Sequence, residues 1–349
     1  MAKIIISILS DQLIPNVLFI KQMSGRGDKH VFLSTVGMEE IHKSQTLANT
    51  LHLKKEDYNT VIIDQNNPQE ILEVLQQKVS GASYEEYIVN ITGGTKMMSQ
   101  MTFLHFSRFQ NSRIFYWPID KNYLEQLHPG FQRYQFRRDV RLDLKTYFAA
   151  HGYSFIRTEK PGYGYERACE LMKKAIRAGD SALVPEIALS STVEYRKDDK
   201  QYLTGGWFEA WLYQSLKKEL RLSDNEIGLN LKIKNEASVR SFESDNEIDV
   251  ALVFKNVLYI IECKVYSAKQ LTGKRITDAI YKISSVRQSL GLKATAMVFI
   301  LSPFGKSKGR QNTIQDMTRM AGVSRVFSLE DMNSQKSVFN EIKMIVRYE

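Results

Sequence analysis

The amino-acid sequence predicts an α/β protein with two domains. The chain has 349 residues, which is more than one hydrophobic core usually serves. In the first part, short β-rich runs alternate with segments of helical spacing, a pattern typical of a parallel sheet with helices on both faces. In the second part, the predicted order is helix, strand, hairpin, helix and strand, which indicates an α+β domain. We place the first domain at residues 1–150, a connecting segment at 151–200 and the second domain at 201–349.

The predicted strands of the first domain are apolar runs bounded by polar segments. They are Ile4–Leu9, Val31–Ser34, Val61–Ile63, Tyr87–Ile91 and Ile114–Trp117. Helical spacing is clearest over Pro68–Val79 and Thr95–Phe109. Parallel sheets of this kind bind ligands at the carboxyl ends of their strands, where the loops collect. Between about residues 120 and 200 the pattern is weaker, and we expect connecting helices and turns there.

The second domain begins with an amphipathic helix in "GGWFEAWLYQSLKKEL", whose apolar stripe includes Trp207 and Trp211. A strand is predicted over Ile227–Ile233, followed by a hairpin, a helix over Asp278–Leu290 and a last strand in "ATAMVFIL".

Composition narrows the possible chemistry. The net charge of +9 and the pI near 9.2 are compatible with a polyanionic partner. No apolar run reaches membrane-spanning length, and the two cysteines fit a reduced cytoplasm rather than a disulfide framework. All six histidines lie within the first 151 residues. A site in the second domain must therefore use carboxylates and lysine.

The hairpin "NEIDVALVFKNVLYIIECKV" places charged residues inside strand-like sequence. If Lys255-Asn256 forms a two-residue turn, the register sets Asp249 opposite Glu262, and Lys264 shares the face of Glu262. Facing carboxylates repel, so a positive charge is expected between them. Their hard oxygen atoms suit Mg²⁺ or Mn²⁺, and Lys264 is placed to hold a water or to stabilise charge on phosphorus.

Two further observations concern this hairpin. Glu209 lies at the edge of the apolar stripe on the preceding helix, where its carboxylate could reach the same metal ion. A cross-strand salt bridge at a sheet edge would explain Glu262 and Lys264 alone. The matching register of Asp249 favours the catalytic interpretation.

A second motif, "YIVNITGGTKMMS", is a buried strand that runs into a helix. Gly93 and Gly94 permit close backbone approach, and Thr95 is suited to cap the helix. The free N–H groups of the helix start, together with Lys96, form a ready phosphate site. The segment is neither a Walker P-loop nor a G-x-G-x-x-G turn. A plain strand-to-helix turn with glycine at its bend is the alternative interpretation.

These residues carry a family resemblance. The spacing D-x(12)-E-x-K on a hairpin, after a helix with a glutamate, resembles the PD-(D/E)xK nucleases, although Ile248 stands where that motif has proline. When this hairpin and the "TGGTK" motif are taken together, nearly the whole chain resembles the CARF-domain nucleases of type III CRISPR defence. The resemblance implies a Rossmann-like CARF domain that senses cyclic oligoadenylate, followed by an α+β restriction-endonuclease-like domain.

The resemblance also implies partners and site residues. We expect a symmetric homodimer, cyclic tetra-adenylate as allosteric activator, and cleavage or nicking of DNA or RNA with Mn²⁺ or Mg²⁺. The expected ligand-binding residues are Ser10, Asp11, Gln12, Thr35, Thr92, Gly93, Gly94, Thr95 and Lys96. The expected catalytic residues are Glu209, Asp249, Glu262 and Lys264, and the expected metal ligands are Asp249, Glu262 and Cys263.

Three other functions remain open on the sequence. A constitutive restriction- or resolvase-type endonuclease would share the hairpin but would not need the TGGTK domain. A CARF transcription regulator would share the first domain but would carry a helix-turn-helix. A binding module with a decayed site is disfavoured, because both carboxylates and the lysine are present. The basic segment "GKSKGR" at 305–310 is either a phosphate contact or a solvated loop, and we favour the contact because the segment follows a strand of the second domain.

Overall fold

The computed structural model describes residues 3–80, 84–118, 121–158, 164–190, 192–194, 196–236, 247–305 and 308–347. It divides into two compact units. The first comprises Met1–Leu142 with Ala149–Gly152, and the second comprises Asp143–Phe148 with Tyr153–Glu349. The α/β class and the order of the two predicted domain types are confirmed.

The first unit contains one seven-stranded sheet. Its strands are β1 (Lys3–Ile8), β2 (Lys29–Ser34), β3 (Tyr58–Ile62), β4 (Glu86–Asn90), β5 (Ser112–Tyr116), β6 (Tyr123–His128) and β7 (Gln132–Gln135). The spatial order is β3-β2-β1-β4-β5-β6-β7. The first five strands are parallel to one another, and β6 and β7 add as an antiparallel hairpin at one edge.

Helices cover both faces of this sheet. They are α1 (Ile14–Met23), α2 (Val36–Glu40), α3 (Lys43–Thr50), α4 (Pro68–Lys78) and α5 (Lys96–Phe106). A further helix, α6 (Leu144–Ala150), follows along the chain, and its residues are divided between the two units. Ile4, Ile6 and Ile8 share a core with α4 and α5, whereas on the other face Phe19 of α1 contacts Phe115. Burial on both faces explains the nearly continuous apolar sequence of β1.

The strand order fixes where a ligand site forms. From β1 the chain moves outward to β2 and β3, and then returns to place β4 on the other side of β1. The loops after β1 and β4 therefore lead to helices on opposite faces of the sheet, and open sheets of this kind bind ligands at the carboxyl ends of the strands at such a point. The two predicted ligand-binding loops lie at this edge.

The second unit contains a mixed six-stranded sheet. Its strands are β8 (Tyr153–Arg157), β9 (Ile227–Asn235), β10 (Glu247–Phe254), β11 (Val257–Val265), β12 (Thr295–Leu301) and β13 (Val323–Phe327), in the order β13-β12-β11-β10-β9-β8. The pairs β11–β12 and β12–β13 are parallel, and the others are antiparallel.

Helices cover both faces of the second sheet as well. They are α7 (Tyr165–Ala178), α8 (Pro185–Ser190), α9 (Lys197–Gln201), α10 (Trp207–Glu219), α11 (Gly273–Ser289), α12 (Lys308–Met320), α13 (Leu329–Met332) and α14 (Gln335–Ile345). A π-helical turn, Tyr202–Gly206, leads into α10. The side chains of α7, α10 and α14 form one core with Ile261 and Cys263, and α11 packs against β11 and β12.

The predicted hairpin register is confirmed. Phe254 pairs with Val257, and the pairing continues to Val250 opposite Ile261. Lys255 and Asn256 form the two-residue turn, with φ of 49° and 63°. Both residues thus take the left-handed conformation that this turn requires, because it matches the twist of the strands.

The prediction of only helices and turns between about residues 120 and 200 was wrong in part. Helices α6 to α9 do lie there, but so do the strands β6, β7 and β8. Both β7 and β8 are edge strands in which no residue is fully buried, so neither shows a clear alternation of buried apolar and exposed polar residues. Residues 153–200 are grouped with the second unit, where α7 packs against α10. Among the residues described, no helix has the length and apolarity needed to cross a membrane.

Candidate functional site

Asp249, Glu262 and Lys264 lie together on β10 and β11. The Lys264 Nζ is 2.5 Å from Glu262 Oε1 and 3.7 Å from Asp249 Oδ2. Asp249 is 6% exposed and Glu262 is 0% exposed. The Lys264 ammonium group therefore supplies positive charge to two buried carboxylates that would otherwise repel each other. The structure brings the three residues together, and their catalytic roles remain a prediction.

The Asp249 carboxylate also holds the backbone of β11. Its Oδ2 accepts a hydrogen bond of 2.7 Å from the Cys263 N–H. The regular backbone pairs of the hairpin end at Val250 and Ile261. Beyond them, the Asp249 side chain bonds the backbone of β11 in place of a backbone partner. A buried N–H without a partner is costly, and the bond therefore fixes Asp249 beside the strand that carries Glu262.

A second lysine, which the sequence interpretation missed, completes the cluster. The Lys282 Nζ on α11 lies 2.7 Å from Glu262 Oε1 and 2.8 Å from Glu262 Oε2. The contact joins residues that are twenty positions apart, on different elements. The available signal was weak: a lysine next to Ile283 in the buried stripe of the helix that follows the E-x-K strand.

The electrostatics of the cluster follow from its burial. Burial, and next the Asp249 carboxylate, raise the pKa of Glu262, while Lys264 and Lys282 counteract this rise. Burial acts to lower the pKa of Lys264, but the Asp249 and Glu262 carboxylates outweigh it and raise that pKa above its ordinary value. Lys264 is therefore held as an ammonium ion, and the ionised form of Glu262 would gain from further positive charge.

Cys263 and Glu209 approach the cluster from the other face of the sheet. The Cys263 thiol packs in the core shared by α7, α10 and α14. Burial, followed by the Asp249 and Glu209 carboxylates, raises the pKa of this thiol, so its metal-binding thiolate form is disfavoured. Glu209 is buried in the first turn of α10. The N–H and C=O groups of a strand residue point to the same side of the strand. Because the Cys263 N–H donates to Asp249, the Cys263 carbonyl also points toward Asp249. If Cys263 binds a metal ion, we therefore expect its carbonyl oxygen to be the ligand.

The donor atoms suit a hard divalent cation. Among the residues described, no three His, Cys, Asp or Glu side chains are grouped in a way that could hold a metal ion. Mg²⁺, however, is commonly bound by one or two carboxylates and completes its shell with water and substrate phosphates. The Asp249 and Glu262 carboxylates with the Cys263 carbonyl fit that pattern.

In the first unit, the loop Thr92–Lys96 lies directly on the end of β1. A Cβ atom on Gly93 would lie 2.3 Å from the Ile8 carbonyl oxygen, and one on Gly94 would lie 2.4 Å from Ile8 Cγ2. Gly94 also has a φ of +74°. Both positions therefore require glycine, and the reason is close packing against Ile8 together with the left-handed turn.

The polar residues of this loop divide into structural and exposed groups. The Thr92 hydroxyl donates to Asn90 Oδ1 at 2.6 Å and accepts from the Trp117 N–H at 2.9 Å. Thr95 caps α5 by accepting from the Met98 N–H. Lys96, in the first turn of α5, is exposed and free to meet an anion. Thr92 thus shapes the loop, and Lys96 faces outward beside the helix start.

The loops after β1 and β2 add to the same edge. Ser10 donates to the Gln12 carbonyl at 3.3 Å, and Thr35 caps α2 by accepting from the Met38 N–H. Lys43, at the start of α3, donates to the Asp11 carbonyl at 2.9 Å and lies 3.7 Å from Asp11 Oδ1. Lys43 is therefore a second cation at this edge, and sequence reasoning missed it.

Comparison with protein-family models assigns both units. Residues 4–147 match the Card1 CARF domain, and residues 196–331 match the Card1-like endonuclease domain. The chain belongs to the CARF endonucleases of the Card1 type. The two matches together cover roughly four fifths of the sequence and contain all the predicted site residues. Among curated proteins, none matches the chain.

Solved structures share the fold over the whole chain. VC1899 from Vibrio cholerae aligns with a TM-score of 0.74 at 19% identity and covers 99% of this chain and 98% of its own. Can2 from Sulfobacillus thermosulfidooxidans, in complex with cyclic tetra-adenylate, aligns with a TM-score of 0.74 at 18% identity, with 99% of both chains covered. A type III CRISPR defence DNA nuclease activated by cyclic oligoadenylate aligns with a TM-score of 0.58 at 14% identity and covers 93% of this chain and 50% of its own.

Proposed function

We propose that this protein is a metal-dependent endonuclease of type III CRISPR antiviral defence that cyclic tetra-adenylate activates. The observation that carries the proposal is the Asp249–Glu262–Lys264 cluster, because it lies inside a Card1-like endonuclease domain that is joined to a CARF domain. The substrate is DNA, RNA or both, cut or nicked in the cytoplasm, where the free thiols Cys169 and Cys263 remain reduced.

The residues of the second unit have different roles in the proposed phosphodiester hydrolysis. Asp249, Glu262 and the Cys263 carbonyl would hold Mn²⁺ or Mg²⁺, which supplies a more acidic bound water and neutralises phosphate charge. Lys264 stays protonated and is 30% exposed at its side chain. It is therefore placed to orient the attacking water or to stabilise the negative charge that develops on the phosphate oxygens. Glu209 would support this site from α10.

The first unit supplies the switch. Its carboxyl edge joins the start of α5, the exposed Lys96, and the loops that carry Ser10 to Gln12 and Thr35. N–H groups at a helix start and a lysine are the groups that bind phosphates. Two copies of this edge, related by a two-fold axis in a homodimer, would match the symmetry of cyclic tetra-adenylate. The similar Can2 fold, solved with that ligand, supports the choice of activator.

The first test measures cleavage. Labelled DNA and RNA are incubated with the protein and Mn²⁺, with and without a panel of cyclic oligoadenylates. Asp249→Asn should lower the cleavage rate by about a hundredfold or more, because it removes a charge at the reacting phosphate. It retains an acceptor for the Cys263 N–H, so the fold should be kept. Unchanged cleavage by this variant would contradict the active-site assignment.

The second test separates the switch from the cutting site. Lys96→Gln should raise the cyclic tetra-adenylate concentration needed for half-maximal cleavage by about tenfold, since it removes a charge-assisted phosphate contact. The control is Lys78→Gln, at the exposed end of α4. Saturating ligand should rescue Lys96→Gln but not Asp249→Asn, because the activator acts only through its preference for the active state.

The main alternative is a constitutive endonuclease. Wild-type protein that cuts equally well with and without every cyclic oligoadenylate tested would favour it over a ligand-activated enzyme. Specific ligand binding without any cleavage would instead favour a CARF regulatory protein.

A further inference from the structure

Lys282 contacts the proposed active site but has no role in the hydrolysis proposed above. Its ammonium group contacts both carboxylate oxygens of Glu262, at 2.7 and 2.8 Å. Lys264 contacts one of the same oxygens, and it also reaches Asp249. Lys282 thus pairs with a single carboxylate of the site and takes both of its oxygen atoms.

The Lys282 ammonium group lies where a divalent cation would have to bind Glu262. Glu262 is completely buried, and the ammonium groups of Lys264 and Lys282 lie directly against its oxygen atoms. A cation bound to Glu262 must use lone pairs that the lysine hydrogen bonds now occupy. It would also repel an ammonium group held at hydrogen-bond distance from the same carboxylate.

The two lysines differ in how readily they could leave. Lys264 extends from β11 itself, and two carboxylates hold it. Lys282 extends from α11, and its side chain is 40% exposed. The ammonium group of Lys282 can therefore rotate into solvent without a movement of the sheet.

We propose that Lys282 is a positioning residue that competes with the divalent cation for Glu262. The inference rests on the proposed metal-dependent nuclease function. In the resting enzyme Lys282 holds the Glu262 carboxylate in place and weakens the affinity of the site for metal. When the cation binds, Lys282 is released and offers its charge to the nucleic acid.

The test measures metal binding directly. Mn²⁺ is titrated calorimetrically into the full-length protein, without nucleic acid. Lys282→Gln should bind Mn²⁺ about tenfold more tightly or better, because the lost competitor is a hydrogen bond to a charged group. Lys282→Arg keeps the positive charge and should stay close to wild type. Lys274→Gln, exposed on the same helix about two turns away, is the matched control and should bind as wild type does.

The outcomes separate this inference from the function on which it rests. Glu262→Gln should lose the Mn²⁺ site; if it binds like wild type, the metal site itself is wrong and the inference fails with it. If Glu262→Gln loses the site while Lys282→Gln gains no affinity, only the role of Lys282 is overturned. An equal gain in Lys282→Gln and Lys282→Arg would also overturn it, since charge would not be the cause. Thermal unfolding of each variant confirms that the protein compared is folded.

Discussion

Gly93 shows how a single position can fix the loop at the carboxyl edge of the first sheet. A side chain there would meet the carbonyl oxygen of Ile8 at 2.3 Å, a backbone atom at the end of the central strand that cannot move aside cheaply. The loop after β4 is therefore held against β1, and Thr95 and Lys96 receive their positions from that contact. The requirement for glycine here is steric, and it acts on the backbone rather than on any ligand.

Gly93→Ala should consequently destabilise the first unit and weaken cyclic tetra-adenylate binding together. We expect a loss of about 1–3 kcal/mol in the free energy of unfolding, the usual cost of overpacking. Urea unfolding and ligand titration are the measurements. Gly130→Ala is the control, because a Cβ at that position meets no atom within 4 Å. If both variants unfold at the same urea concentration, the contact with Ile8 does not constrain the loop.

At the scale of elements, the loop that follows β11 is tied to the segment that follows α7. Asp180 accepts a hydrogen bond from the Ala268 N–H at 3.0 Å, and Ser181 donates to the Tyr266 carbonyl at 3.1 Å. Tyr266 lies two residues after Lys264 along the chain. These bonds therefore constrain the backbone that leaves β11, the strand that carries Glu262 and Lys264.

Asp180→Ala should slow cleavage without changing Mn²⁺ affinity. Loss of an ordinary hydrogen bond would loosen the loop and lower the rate by roughly threefold to tenfold. Faster amide hydrogen exchange at Ala268 should accompany the change. Asp316→Ala, on α12 and paired with Arg319, is the control for loss of an acid elsewhere in the unit. A wild-type rate together with faster exchange at Ala268 would show that the loop does not position Lys264.

Elements with strong local signals were predictable from sequence. The hairpin β10–β11 could be placed in register because the turn residues and the apolar alternation are adjacent in the chain. The edge strands β7 and β8 were not, because none of their residues is fully buried and their apolar alternation is weak. The contact of Lys282 with Glu262 depends on the rotation of α11 over the sheet, and that of Lys43 with Asp11 depends on how α3 is placed. Tertiary packing determines both contacts, so the local sequence gives at most a weak indication of them.

At the scale of the whole molecule, the histidines are unevenly distributed, and we expect loss of stability in mild acid to be concentrated in the first unit, because all six lie within residues 1–151. Burial is the main cause that lowers the pKa of His30, with Asp28 and Asp57 opposing it and Lys29 adding to it. Burial, and then Arg108, likewise lower the pKa of His105. Each histidine thus binds fewer protons in the folded than in the unfolded state, so the stability it contributes is present above its ordinary pKa of 6.5 and falls as the pH drops below that value.

Lowering the pH from about 7.5 to about 5.5 should therefore loosen the first unit before the second. Hydrogen exchange of peptides from β1 and α5, compared with peptides from β11 and corrected for intrinsic rates, measures this difference. His105→Gln should reduce the pH dependence, whereas the exposed His52→Gln should leave it unchanged. Equal pH dependence in peptides of both units would contradict the prediction.

If the carboxylate–lysine cluster is the active site that we propose, its balanced charges have a consequence for the order in which the cation and the nucleic acid bind. Asp249 and Glu262 face Lys264 and Lys282, so the resting cluster carries two negative and two positive charges. A divalent cation that enters alone upsets this balance, and so does a strand of nucleic acid. Arriving together, they compensate each other, so each should raise the affinity of the site for the other by the same factor. Such thermodynamic coupling would leave the enzyme largely metal-free until a substrate is present.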